Sequence, residues 1–460
     1  MTTTSPRRGF WSSAAFVGLL FLIVATLVPY GTVHPPIIAL FYILVSLISI
    51  FTIISWATTK EIRLSLTPLQ IPILITIAYS FIQIIPFGEL SVIGGLSGIP
   101  NTISQDPFST LSAALHFIAI YTVFALALSS FNSAGRIKIT ALFISLVGFA
   151  AAFFAIIQRA ISPQKIYGIY EALEPFGPFV NKHNFAAFMC MAVAIPMGMV
   201  LQGAVKREHV PIYVIAIALM AVSIFVSTSR GGLVAFVAET LFLTFVSSNR
   251  FVKDGVRWPK FVLAAVFLIT VAVGAALIGG ETSFSRLRET AASGDFTSKR
   301  TEIWKVTADV IADGMPLGSG IGAYGAAYTK FDRQNGIERV EQAHNDYLQV
   351  LADAGLVGLG AGILFLYLLF RLGRRALEIG NGLRRGVAVG ALVGIVGVLV
   401  HSVFDFVLHI TAVSVLFVML MALLVTSDEE FLDDEKGERK GRSAVPPGTV
   451  TRIDGMKRIN

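Results

Sequence analysis

Residues 210–247 read VPIYVIAIALMAVSIFVSTSRGGLVAFVAETLFLTFVS. Two apolar runs, 210–227 and 231–247, meet at Ser229-Arg230-Gly231-Gly232. A membrane helix needs about 20 predominantly apolar residues. Two such runs joined by so short a turn read as consecutive transmembrane helices. The turn then leaves Arg230 near the membrane interface, where an intramembrane charge is costly enough to need a reason.

The whole chain has the same character. Of its 460 residues, 55% are hydrophobic and 14% charged, and the mean hydropathy is +0.74. A soluble domain carries about 25% charged residues and about 45–50% apolar ones. The deficit of charge excludes an ordinary soluble enzyme, a disordered chain and a nucleic-acid binder built on a basic face. The 35 Phe and 41 Gly suit lipid-facing surfaces and close helix packing. The net charge of +7 does not by itself imply an acidic partner, because in a membrane protein the placement of the positives matters more than their sum. Cys190 is the single cysteine and lies in an apolar run, so no intrachain disulfide is possible.

Apolar runs bounded by charge or turn residues predict twelve spans: 12–29, 37–56, 68–86, 111–131, 139–157, 185–202, 210–227, 231–247, 261–279, 355–371, 386–403 and 409–426. The first follows Arg7 and Arg8 as a signal sequence would. It lacks a small-x-small cleavage site and reads as a retained helix. Twelve spans put both termini on one side. With that side inside, 24 of the 36 Lys and Arg fall on inner segments, and eight of the outer ones lie in a single long loop, 280–354. Long loops translocate largely regardless of charge. The expectation is an all-α polytopic protein of a bacterial inner membrane, with cytoplasmic ends. Its parts are nine helices within 1–279 (interrupted by an outer loop, 158–184), a folded helical loop over 280–354 facing the periplasm, three helices within 355–426, and a charged cytoplasmic tail over 427–460 with the composition of disorder.

Within the long loop, Ile303, Val306, Val310 and Ile311 share one face at helical spacing, with Trp304 beside them. They predict a helix over 299–313 that Gly314-Met315-Pro316 ends. A second helix starts near His344, with Tyr347, Leu348, Leu351 and Ala352 on one face.

Six places carry potential chemistry. Arg230 either grips a lipid phosphate in bidentate fashion or anchors the interface by snorkelling. Arg300, after Lys299 and ahead of Trp304, is either a binding cation or a solvated charge. His344, in Gln342-Ala343-His344-Asn345-Asp346-Tyr347, is a general base or a capping histidine. His344 with Asp346 is too small a set for a metal, so no metal is expected. Gly318-Ser319-Gly320-Ile321-Gly322-Ala323-Tyr324-Gly325 superficially matches a dinucleotide fingerprint. It lacks the surrounding βαβ unit and reads as a tight turn between loop helices. His401, Asp405 and His409 fall at i, i+4 and i+8, the spacing of one helical face, with Glu239 inside another span. They form either a proton path or structural pairing and support near an outer cavity. Lys182 and His183, in Gly177-Pro178-Phe179-Val180-Asn181-Lys182-His183-Asn184, add polar groups at the same face. Cations and a possible base gathered at one membrane face suggest a lipid-diphosphate substrate.

Ser229-Arg230-Gly231-Gly232 after a span, Arg300-x-x-x-Trp304, the Gly318–Gly325 turn, and His344-Asn345-Asp346-Tyr347-Leu348-Gln349 before Gly355-Leu356-Val357-Gly358 together resemble the O-antigen ligase and polymerase superfamily. The blocks 177–184 and His401-Ser-x-Phe-Asp405-Phe extend the resemblance over roughly 177–426. It implies a membrane glycosyltransferase of GT-C-like fold that takes a glycan from undecaprenyl diphosphate to a sugar hydroxyl. Arg230 and Arg300 would hold the diphosphate. His344 would act as base or orient the acceptor. Lys182, His183, Asn345, Asp346, Trp304, His401 and Asp405 would support them. Inversion, independence of metal and the absence of any cofactor follow from the same likeness.

Three functions compete. A ligase moves the glycan to lipid A–core. A polymerase moves it to a second lipid-linked glycan. A transporter or lipid flippase would instead use His401, Asp405 and Glu239 as a proton relay, and would show two similar halves with broken helices. Membrane lipids are partners under each, and nucleic acid under none.

Overall fold

A computed structural model of the chain describes residues 9–62, 64–89, 101–251, 300–333, 336–337 and 339–428. The order of elements is α1 (Phe10–Leu27), α2 (Pro35–Thr59), α3 (Ile71–Gln83) after a single 3₁₀ turn, α4 (Pro107–Ser130), α5 (Ala134–Ile161), a hairpin of β1 (Lys165–Ile166) and β2 (Tyr170–Glu171), α6 (Lys182–Leu201), α7 (Val210–Val226), α8 (Arg230–Phe251), α9 (Arg300–Gly314), α10 (Tyr324–Thr329), α11 (Asp346–Glu378), α12 (Gly382–His401) and α13 (Thr411–Thr426). Nine helices among the described residues are long and apolar enough to cross a membrane, and Pro68–Gln83 and Thr411–Thr426 are shorter apolar helices. The molecule is an all-α, multi-pass membrane protein. Every expected span but one overlaps a helix. The exception, 261–279, lies outside the described residues, as do Arg7, Arg8, Lys299, residues 280–298 of the long loop and the tail from 429.

Burial divides the helices into two kinds. The side chains of α6 from Phe185 to Met199 are buried throughout, and so are those of α13. By contrast α2 presents Leu40, Ile43, Leu47, Ile50 and Ile53, and α11 presents Leu356, Leu359, Ile363 and Phe370, to the surroundings. Apolar faces of this extent suit lipid contact and not water. The buried helices pack through glycine. Gly386, Gly390 and Gly394 recur every four residues on α12 and lie against the α6 backbone. A Cβ built on Gly390 would stand 2.8 Å from the Ala194 carbonyl, and one on Gly394 3.1 Å from Met191 Cα. Between apolar helices in lipid, close van der Waals approach replaces the hydrophobic drive, and small residues make it possible.

The bundle ends differ. At one end, Arg385 Nε donates to Gln202 Oε1 at 3.0 Å, and Gln202 Nε2 donates to Ser247 Oγ at 3.0 Å. At the other end the starts of α6, α8, α11 and α13 meet the ends of α7 and α12. There α9, α10 and the first two turns of α11 form a layer over the helix ends, with α9 packed on α11. Gly355 (φ 53°) breaks α11 between that layer and the membrane-crossing part. A Cβ at Gly355 would lie 2.2 Å from the Pro316 carbonyl, which accepts from Leu356 N at 2.9 Å. The Gly318–Gly325 stretch is the expected tight turn, with positive φ at Gly318, Gly320 and Gly322. Gln83, buried at the end of α3, holds it through bonds to the Leu317 carbonyl and the Ile321 amide.

Gly390→Val puts two methyl groups into the α6 backbone and is expected to cost about 1–3 kcal/mol, as overpacking does. The thermal midpoint of the detergent-solubilised protein would read it, with Gly360→Val, whose Cβ meets nothing within 4 Å, as the tolerated control.

Candidate active site

The site is assembled from the start of each of four helices and one interhelical turn. On α6, the Asn181 side chain caps the helix by accepting from His183 N at 2.8 Å, the usual way an Asn satisfies orphan amides. Lys182 Nζ is taken up by Glu174 Oε1 at 2.6 Å. His183 Nδ1 lies 2.8 Å from Ser229 Oγ. Ser229 precedes α8, and its hydroxyl also accepts from Gly232 N at 3.2 Å. The two glycines that follow Arg230 are needed for space. A Cβ on Gly231 would touch the His401 ring at 3.0 Å, and one on Gly232 would stand 2.5 Å from Ala186 Cβ. The start of α8 is thereby wedged between α6 and α12, with Arg230 half-buried in its first turn.

His344 is held from both sides in the chain. The Trp304 indole on α9 donates to the Ala343 carbonyl at 3.0 Å, and Ala343 N donates to Gln349 Oε1 at 2.7 Å. Asn345 caps α11 by accepting from Tyr347 N and Leu348 N, both at 3.0 Å, while its Nδ2 donates to the Val403 carbonyl at 2.9 Å. Asp346 N donates to the Ser402 carbonyl at 2.9 Å. Between these anchors His344 itself takes φ 50°, a left-handed conformation that costs a non-glycine residue and persists only where its surroundings impose it.

Asp405 joins the pieces. Its Oδ1 lies 3.0 Å from His344 Nδ1, its Oδ2 lies 3.0 Å from Arg300 Nη2 at the start of α9, and His183 Nδ1 is 3.9 Å from Oδ2. Only 2% of the Asp405 side chain is exposed. Burial pushes its carboxyl up, but the His344 hydrogen bond and the charges of Arg300 and His183 outweigh it and hold the group well below the usual carboxylate range. An ionised carboxylate only accepts, so His344 Nδ1 carries the proton in that bond. The neutral ring then keeps its lone pair on Nε2.

The His401, Asp405 and His409 spacing does not make one helical face. The helix ends at His401; Asp405 sits in the turn that follows and His409 in a separate 3₁₀ turn. The turn splits the three residues among different neighbours. Asp405 faces Arg300 and His344, His409 pairs through Nδ1 with Asp346 Oδ1 at 3.2 Å, and His401 is buried against Gly231. Glu239 is buried lower in the bundle, its carboxyl seated on Gly397. Among the described residues no group of three or more His, Cys, Asp or Glu is placed to hold a metal ion. Ser229 and Gln349 stand in the quoted motifs without a role of their own, and Gln83 carries no local signal, whereas a serine just ahead of an apolar run is a readable N-cap signal.

Residues 215–363 match a family model described as O-antigen ligase. The match contains Arg230, Arg300, Trp304 and His344, and it bears out the resemblance to the O-antigen ligase superfamily. It is narrower than the 177–426 traced from motifs, and His183 and Asp405 lie beyond it. No curated protein matches the chain significantly.

The His409–Asp346 pair makes a pH-dependent contribution. Burial lowers the imidazole, but the Asp346 carboxylate outweighs it and raises His409 above its ordinary value. A raised folded value means the stabilisation is complete below about pH 6.5, the ordinary histidine value, and is lost as pH rises through the folded one. With 35% of the side chain exposed, screening keeps the gain below about 1 kcal/mol. The gap in thermal midpoint between wild type and His409→Gln is expected to be larger at pH 6 than at pH 8.5; an equal gap would remove the pair from the account.

Proposed function

We propose that the chain transfers a glycan from an undecaprenyl-diphosphate carrier to a sugar hydroxyl of lipid A–core, at the periplasmic face of a bacterial inner membrane. The observation that carries the reading is Asp405, which binds one histidine and one arginine through its two oxygens. Histidine, carboxylate and arginine then serve a single displacement. The acceptor hydroxyl gives its proton to His344 Nε2 as its oxygen attacks the anomeric carbon. The bond from that carbon to the diphosphate breaks, and the configuration inverts. Asp405 fixes the ring and stabilises the imidazolium that forms, as a carboxylate behind a catalytic histidine does. Arg300 retains donors beyond the one on Asp405, since a guanidinium carries five N–H groups in a fixed fork. Together with Arg230 it offsets the charge developing on the leaving diphosphate. Arginines in that role make a metal unnecessary for leaving-group departure. Asn345, Asp346 and Trp304 position the His344 backbone, and His183 and His401 pack around Asp405 and the start of α8. Lys182, already paired with Glu174, helps shape the rim.

Reconstituted protein with an undecaprenyl-diphosphate glycan tests the reading. Release of undecaprenyl diphosphate only when lipid A–core is present, with glycan attached to it, is the expected result. Release without it, accompanied by longer lipid-linked chains, reassigns the protein as a polymerase. His344→Ala is expected to lower turnover about 10²–10⁴-fold, the usual worth of a positioned base, with donor binding intact. Arg230→Lys and Arg300→Lys are each expected to be severe, because lysine loses the planar fork. Wild-type turnover in both would end the diphosphate-clamp assignment. A chelator is expected to leave transfer unchanged, and inhibition reversed by added metal would overturn that part.

A further inference from the structure

Beside His344 lies a cleft of about 260 Å³ lined by Ile303, Arg339, Val340, Glu341, Gln342, His344 and Phe406. Its chemistry differs from that of the Asp405 cluster. Arg339 and Glu341 pair with each other, so the cleft brings no net charge of its own. Ile303, Val340 and Phe406 supply apolar wall, and the Phe406 ring stands edge-on to the His344 ring at 4.8 Å between centroids. The Gln342 side-chain oxygen is buried and has no hydrogen-bond partner among the described residues. A buried amide oxygen left unsatisfied costs about 1–3 kcal/mol and native proteins leave few of them, so a ligand hydroxyl on the Gln342 amide would relieve that cost. The volume falls just under the roughly 300–1,000 Å³ of pockets that take drug-sized ligands. That is room for one sugar ring and not for an oligosaccharide.

We infer that this cleft binds a single uncharged pyranose, the terminal sugar of the acceptor, with a ring face on Phe406 and a hydroxyl on the Gln342 amide. The inference rests on the transfer reading for the sugar's role, but not for its binding. A neutral sugar fits what a phosphate does not: paired charges, an aromatic face, and an amide that both donates and accepts. It also places the acceptor next to His344. With Nδ1 committed to Asp405, Nε2 is the nitrogen left for a hydroxyl of that sugar. Gln342 is therefore a specificity residue, two positions from the histidine and carried by the same pinned segment.

The test is saturation-transfer NMR on the full-length protein in nanodiscs, with glucose, galactose, N-acetylglucosamine and inorganic pyrophosphate as probes. At least one neutral sugar is expected to receive saturation at its ring C–H protons, and excess pyrophosphate is expected not to displace it. Gln342→Met removes the amide at similar volume and is expected to weaken that sugar about 3- to 10-fold, the worth of one neutral hydrogen bond. Phe406→Leu removes the ring face and is expected to weaken it comparably, which keeps the test decisive if either variant folds poorly. Absence of saturation for all three sugars, displacement by pyrophosphate, or unchanged binding in a folded variant overturns the cleft. The two readings fail separately. Sugar binding that depends on Gln342, in a protein whose His344→Ala variant still releases undecaprenyl diphosphate normally, retains the cleft and ends the transfer mechanism. Loss of turnover in His344→Ala with no sugar binding does the reverse.

Discussion

The arrangement depends on one buried carboxylate. Asp405 is reached by Arg300 from 105 residues away and by His344 from 61 residues away in the sequence. Taking a carboxylate out of water costs several kcal/mol, and attraction repays that only with good geometry and further hydrogen bonds. Asp405 has both: the Arg300 and His344 bonds, and the Phe406 amide on Oδ1 at 3.0 Å. The cost of leaving it unpaired, about 3–5 kcal/mol for loss of one buried partner, binds α9, the start of α11 and the turn after α12 into one position. The same carboxylate that orients the histidine therefore also keeps the covering layer on the bundle.

The bundle makes room for that cluster through backbone contact. Glycine lets α12 lie on α6, and Gly231 and Gly232 let the start of α8 reach the His401 ring and Ala186. In the covering layer, Gly355 lets the Pro316 carbonyl meet the break in α11. At Gly390 and Gly355 a methyl group would meet main chain, and at Gly231 and Gly232 it would meet the His401 ring and Ala186 Cβ. Polar groups that belong near an interface are thus brought to one depth by packing that is itself apolar.

Much of this was legible in the sequence because lipid is a simple solvent. Apolar run length alone located the helices, and the 299–313 and 344–352 periodicities located the loop helices to within a residue or two. The residue types at the site, arginine, histidine and aspartate in a chain of 14% charge, stood out for the same reason. Less legible was what each one touches. The i, i+4, i+8 spacing of His401, Asp405 and His409 implied one face only while the helix continued. It stops at His401, and Ser402 and Val403 turn their carbonyls to Asp346 N and Asn345 Nδ2. The partner of Asp405 comes instead from α9, a contact that no local spacing encodes. Lys182 read from the sequence only as a polar group at that face, and Glu174 reaches it through the fold of the 162–181 loop.

The two oxygens of Asp405 also separate two environments. Oδ2 faces Arg300, with His183 and the wedged start of α8 nearby. Oδ1 faces His344, beyond which the walls turn apolar and the remaining charges cancel as Arg339 with Glu341. A reaction that moves a glycan from a departing diphosphate to an uncharged hydroxyl needs this asymmetry: concentrated positive charge where negative charge grows, and none where a proton must leave for imidazole. A cation next to His344 Nε2 would oppose protonation of that ring. Under the proposed reading, Asp405 is the boundary between the two halves, holding Arg300 on one oxygen and the His344 ring on the other and buried enough to stay out of reach of either substrate.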